Sequence, residues 1–141
     1  MTEQRIREIL EEIAGRIDGL LSIMVIDLDG VAIVNYIPPG SMVNVELAAA
    51  QLAILIKLLK STADRLRAGE VEDDLLTTST TQVLIKPLVD KYYLGIMTTR
   101  DNSLGMVRLV AGAYVNNIRR ELLEGNEGKD VACVDISISR N

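Results

Sequence analysis

The side chains most often recruited for acid–base and nucleophilic chemistry are nearly missing from this sequence, which holds no histidine and a single cysteine, Cys133. Without an imidazole, neither a Ser-His-Asp nor a Cys-His arrangement can activate a nucleophile. Without a second cysteine there is no internal disulfide, and without a Cys/His cluster there is no zinc set. The carboxylates that stand together, Glu11-Glu12 and Glu72-Asp73-Asp74, fall on a solvated helix face and in a connecting loop, where plain surface charge is their ordinary role. Lys86 sits in a strand pattern and reads as a solvent-facing residue. Asp27-Leu28-Asp29-Gly30 opens like a calcium loop, but the later acidic ligands ending in Glu are missing, so it reads as a tight turn. Gly125-Asn126-Glu127-Gly128-Lys129-Asp130 contains a Gly-Lys pair. Its spacing is too short for a phosphate loop, Asp follows the Lys, and no helix signal follows. No catalytic group, metal or cofactor is expected.

The composition narrows the partners in the same direction. The chain has 141 residues, 48% of them hydrophobic, enough for one domain with a real core. A formal net charge of −5 gives no electrostatic pull toward nucleic acid or an anionic membrane. Aromatic residues are 3%, with no Trp or Phe, so base-stacking platforms are lacking as well. The apolar runs are too short and broken to cross a bilayer, and the expectation is a cytoplasmic protein.

What remains is a surface for another protein, and the elements that would build it can be read in order. Ile6, Ile9, Leu10, Ile13 and Ile17 form one stripe of an amphipathic helix, which Gly15 and Asp18-Gly19 end. Ser22 to Asp27 and Val31 to Tyr36 read as a hairpin turned at Asp29-Gly30, and Pro38-Pro39-Gly40 closes it. A second helix, about Asn44 to Leu66, packs a stripe of Val45, Ala48, Ala49, Leu52, Leu55, Ile56, Leu59, Ala63 and Leu66 on the sheet. Leu47, Ile54 and Leu58 lie nearly opposite, among Gln51, Lys57, Ser61 and Arg65, as a second apolar strip that one subunit would leave in water.

Three strands follow: Leu75 to Thr80, Gln82 to Lys86, and Tyr92 to Thr99. Pro87 cannot donate to a ladder, so the middle strand is expected to end at Lys86 or to bulge there. Leu75, Leu76, Thr77, Thr78, Ser79 and Thr80 have high strand propensity and no charge, proline or glycine, which makes a poorly protected edge. With the uncovered helix strip before it, this edge points to two copies meeting about a two-fold axis.

Asn102-Ser103 caps a third helix whose face is Leu104, Val107, Ala111, Tyr114, Val115, Ile118 and Leu122, ending near Glu124-Gly125. Gly105 and Gly112 weaken it by about 1 kcal/mol each relative to Ala, and close packing against the sheet or first helix is the expected return. Residues 1–124 thus form the domain, and 125–141 a linker with an added strand in which Val134, Ile136 and Ile138 alternate with Asp135, Ser137 and Ser139. That strand is expected to augment an exposed sheet edge.

In this order of elements, and in Gly19-Leu20-Leu21-Ser22-Ile23-Met24-Val25-Ile26-Asp27-Leu28-Asp29-Gly30 and Asn102-Ser103-Leu104-Gly105-Met106-Val107-Arg108, the sequence resembles the roadblock/dynein-light-chain family over about residues 3 to 124. The resemblance implies an α/β fold of the α+β type, αββαβββα. Its five-stranded antiparallel sheet runs in order 2-1-5-4-3, with the first and third helices on one face and the second on the other. It also implies a homodimer joined through the third strand and second helix. Among prokaryotic members the sequence looks most like MglB-type regulators, whose partner is a Ras-like small GTPase. Gln51, Lys57, Ser61 and Arg65 are then the contact candidates for that GTPase, with Leu47, Ile54, Leu58 and Leu75 to Thr80 at the dimer interface. Arg65, Arg67 and Arg100 are candidates for an arginine inserted into the partner's site, although ordering of the switch regions by the dimer surface is the reading the family favours. A small-molecule sensory domain and a purely structural adaptor are the alternatives from other classes.

Overall fold

The computed structural model describes residues 2–129. The order is α1 (Thr2–Ala14), β1 (Leu20–Asp27), β2 (Ala32–Tyr36), α2 (Val45–Arg65), β3 (Asp74–Thr77), β4 (Thr81–Pro87), β5 (Tyr92–Thr99) and α3 (Leu104–Lys129). The five strands form one sheet in the order β2-β1-β5-β4-β3, every neighbouring pair antiparallel.

Strand alternation sends successive side chains to opposite faces, and β1 is apolar on both. Ile23 and Val25 face α1 and α3, whereas Met24 and Ile26 face α2. The α1/α3 layer holds the heavier core, with Ile6, Leu10, Ile13, Leu94, Ile96, Val115, Ile118 and Leu122 buried. On the other face α2 fully buries only Ala49, Ala53 and Ile56, and its small residues bring its backbone close to the sheet. A Cβ on Gly95 would meet Leu52 Cδ1 at 3.2 Å, and one on Gly30 would meet Ala50 Cα at 3.3 Å.

Local chemistry sets the element ends. Asp27 Oδ1 accepts from the amides of Asp29 (2.9 Å) and Val31 (3.1 Å), and Gly30 has φ +90°, so the β1–β2 turn is fixed by its own side chain. Asn44 caps α2 by accepting from the Leu47 amide at 3.1 Å. Ser103 caps α3, accepting from the Met106 amide through Oγ.

Several boundaries differ from the sequence reading. The third strand stops at Thr77 rather than Thr80, because Thr78 Oγ1 accepts from the amides of Thr80 (3.3 Å) and Thr81 (3.0 Å). That hydroxyl offers the backbone a turn in place of a ladder, so Thr78, Ser79 and Thr80 form the β3–β4 connection and not edge strand. The fourth strand continues through Pro87, opposite Tyr93. As its last residue Pro87 needs no further donor, and its carbonyl accepts from Arg119 Nη2 at 2.9 Å. The third helix runs to Lys129, past the end expected at Glu124-Gly125 and through the segment read as a linker. Glycine in a helix costs about 1 kcal/mol but, unlike proline, removes no hydrogen bond. The added strand of Val134, Ile136 and Ile138 lies outside the described residues.

Candidate interaction surface

Two features expected from the sequence stand on the surface of this fold. On α2, Leu47, Ile54 and Leu58 are 57%, 59% and 62% exposed. At about 100° per residue they lie on the side of the helix turned away from Ala49, Ala53 and Ile56. Gln51, Lys57, Ser61 and Arg65 flank them and are exposed too. Leu66, expected on the packed stripe, is 72% exposed, because it is the C-cap and the chain turns away through Arg67 in the left-handed region (φ 53°).

The second feature is β3, which ends the sheet and pairs only with β4 among the described strands. Leu75 and Leu76 are exposed there. Leu76 stands opposite Val83, whose side chain packs in the α2 layer, and Leu75 opposite Leu84, which packs in the α1/α3 layer. The edge therefore shows apolar side chains on both faces beside free backbone groups, the arrangement that proteins normally blunt. At the other end of the sheet β2 is guarded, since Arg7 Nη1 of α1 donates to the Asn35 carbonyl at 2.7 Å.

The strip and the edge belong to one side of the molecule. Leu52 lies over Gly95 of β5, and Ala50 lies against Gly30 at the β1–β2 turn. The flank of α2 beyond Leu52, carrying Ala48, Leu55 and Leu59, therefore looks toward β4 and β3. Leu47, Ile54 and Leu58 come next around the helix. Charge near the start of β3 is paired: Asp73 reaches Arg108 Nε at 3.5 Å and Lys86 Nζ at 3.8 Å. Lys86 is thus half-buried and paired rather than simply solvent-facing. The Asp74 carboxyl titrates above its ordinary value, first because of partial burial and then because of Asp73 beside it.

Among the described residues no three His, Cys, Asp or Glu side chains gather to hold a metal ion, and no helix is long and apolar enough to cross a membrane. Of the three arginines considered for insertion into a partner, Arg100 is occupied. Its Nη1 donates to the Thr78 carbonyl at 2.6 Å and its amide to the Thr80 carbonyl at 3.2 Å, so it buttresses the β3–β4 turn. Arg65 and Arg67 are exposed.

No family model matches the chain, and no curated protein matches it by sequence. Solved structures match it in shape. The gliding protein MglB from Thermus thermophilus superimposes with a TM-score of 0.77 at 16% identity, over 85% of this chain and 90% of that one. Myxococcus xanthus MglB gives 0.72 at 14%, over 89% and 90%. A Roadblock/LC7 domain from Streptomyces avermitilis gives 0.74 at 17%, over 83% and 97%. The chain has the roadblock fold. In this roadblock domain the strand order and helix placement agree with what the sequence resemblance implied.

One surface of the roadblock domain was missed in the sequence. On the outer side of α3, Met106 and Leu109 are 53% and 70% exposed. With Arg16, Val110, Ala113 and Tyr114 they line an open groove of about 730 Å³. The spacing of Met106, Leu109 and Ala113 carried the signal, a second helical stripe like that of α2. Gly105 and Gly112 were expected to pack on the sheet or α1. Instead, a Cβ on Gly112 would meet nothing within 4 Å, and one on Gly105 only Ser103 Oγ at 3.7 Å. Both glycines face outward.

Proposed function

We propose that this roadblock domain is a non-enzymatic homodimeric platform that binds and regulates a Ras-like small GTPase. The observation that carries the reading is a pair of uncovered surfaces, the exposed Leu47, Ile54 and Leu58 of α2 and the β3 edge with exposed Leu75 and Leu76, which pairs only with β4 among the described strands. Water solvates the exposed leucines and isoleucine of both parts poorly, and a second copy related by a two-fold axis would supply their cover and pair the open strand edge at once. The Thr78-Ser79-Thr80 turn then flanks the joint.

Strand β3 pairing with its symmetry mate makes one sheet through both subunits and sets the two α2 helices side by side. Gln51, Lys57, Ser61 and Arg65 become a polar rim around an apolar centre, the composition of a surface for a transient protein partner. The likeness to MglB structures supports a GTPase as that partner, and the lack of any catalytic constellation in the sequence supports action through the GTPase's own residues.

The test is capture of the host's Ras-like GTPases, each loaded with diphosphate or a triphosphate analogue, on the immobilised full-length chain. Preference for the triphosphate form, weakened by Lys57→Glu, is the expected result. Nucleotide-independent capture would reduce the role to an adaptor, and no capture would remove the GTPase from the proposal. Single-turnover hydrolysis with Arg65→Ala and Arg67→Ala distinguishes the mechanisms, since loss of an inserted arginine costs on the order of 10³-fold.

A further inference from the structure

The groove on the outer side of α3 is an apolar surface on the face of the sheet opposite α2, and it does not depend on the α2 reading. Gly105, Met106, Leu109, Gly112, Ala113 and Asn116 are all exposed along it. None carries a charge. Each glycine weakens the helix relative to Ala, and among the described residues only Ser103 Oγ, 3.7 Å from a Cβ on Gly105, comes near the space they leave. Another helix backbone can fill it.

The charges at the two ends of this stripe identify which helix. At its start stand Asp101 and Asp18, both exposed, held together because the Asn102 side-chain amide donates to the Asp18 carbonyl. About 24 Å along the helix from Leu104 stands Arg120, exposed on the same line as Ala113. Its neighbour Arg119 is already committed to the carbonyls of Pro87 and Leu88, both at 2.9 Å. Along α3 itself the stripe is therefore acidic at one end, basic toward the other and uncharged between, with Arg16 of the neighbouring segment on its rim. An antiparallel copy of itself is complementary to it.

We infer that the outer face of α3 is a second self-association surface, on which two copies of this chain pack their α3 helices antiparallel. With the two-fold axis level with Val110 and Ala111, Leu109 seats over Gly112 of the partner subunit and Asp101 faces Arg120 of the partner subunit. Each contact occurs twice, as an isologous interface requires. Glu124, one turn beyond Arg120, falls past the start of the opposing helix. Arg16, whose guanidinium lies 5.8 Å from the centroid of the Tyr114 ring, forms the rim of the groove.

Sedimentation equilibrium of the full-length chain carrying Ile54→Asp, which removes the α2 contact, isolates this interface. A two-chain particle is expected. Asp101→Arg and Arg120→Glu should each weaken it about tenfold, because every reversal turns two attractive pairs repulsive. Both together should restore it. All three positions are exposed, so circular dichroism should stay that of the parent. A single-chain mass for Ile54→Asp, or a two-chain mass indifferent to both charge reversals, overturns the inference. The first result is also what cover of the groove by residues 130–141 or by another protein would give, and the second would mean that the copies pair through some other surface. Failure of the α2 reading shows separately, as an unchanged mass when Ile54→Asp is introduced alone into the parent chain.

Discussion

Ile54→Ala tests the α2 strip with a magnitude that follows from exposure alone. Full burial of an isoleucine side chain stabilises by about 1.5–3 kcal/mol. Ile54 is 59% exposed in the single chain, so more than half of that remains to be gained on association. Truncation to Ala forfeits about 1 kcal/mol of it per subunit, hence about 2 kcal/mol per two-fold interface, or roughly thirtyfold in the dimer dissociation constant. The same change should move the stability of the monomeric fold by less than about 0.5 kcal/mol, because the side chain packs on little within the subunit. Sedimentation equilibrium measures the first quantity, and urea unfolding at a concentration below dissociation measures the second. An unchanged dissociation constant refutes the assignment of Ile54 to the interface. A large loss of monomer stability refutes the geometry that places it outward.

Three other substitutions probe the scaffold. Thr78→Ala removes the hydroxyl that accepts from two turn amides and should cost about 1 kcal/mol in urea unfolding, with Thr78→Ser nearly neutral. Gly30→Ala combines φ +90° with a Cβ 3.3 Å from Ala50 Cα and should destabilise by about 2 kcal/mol, whereas Gly69→Ala, where nothing lies within 4 Å, should show only the backbone strain of its positive φ. Asp74→Asn should be more stable than the parent at pH 7. The raised Asp74 carboxyl favours the protonated folded state, so the parent gains stability as pH falls through that raised value and the difference narrows toward the ordinary aspartate range. A difference that widens on acidification would contradict the burial assigned to this carboxyl.

The sequence carried the arrangement of elements well because each was locally consistent. The α1 stripe, the Asp-Gly hairpin, the Asn44 and Ser103 caps and the two-sided β1 all state their structure in a few adjacent residues. The misreadings share a cause, in that a distant or competing group decided the outcome. Propensity alone carried β3 on to Thr80, but the Thr78 hydroxyl claimed the backbone first. Strand β4 keeps Pro87 because it is the last residue, where the ladder asks for no further donor, and Arg119, thirty-two residues away, takes its carbonyl. The strip of Leu47, Ile54 and Leu58 was legible because it lies opposite a well-marked core stripe. Met106 and Leu109 escaped because their neighbours Val107 and Val110 are buried, and one apolar face was taken to account for the whole helix. Gly112 needed the fold itself, since periodicity does not tell a glycine that faces a sheet from one that faces water.

The unequal thickness of the two layers bears on how the molecule assembles itself in time. Large aliphatic side chains lock α1 and α3 to the sheet, while α2 fully buries only two alanines and one isoleucine, with Val45, Ala48, Leu52 and Leu55 half-buried beside them. The sheet with α1 and α3 should then be the most protected part, and α2 the first to lift. Amide exchange along α2 should be quick in the isolated subunit and slow steeply with protein concentration, leaving α1 almost indifferent. In the proposed dimer a helix tethered this lightly would acquire its rigidity from company, so that recruitment of a neighbour and the setting of its own surface would become a single event.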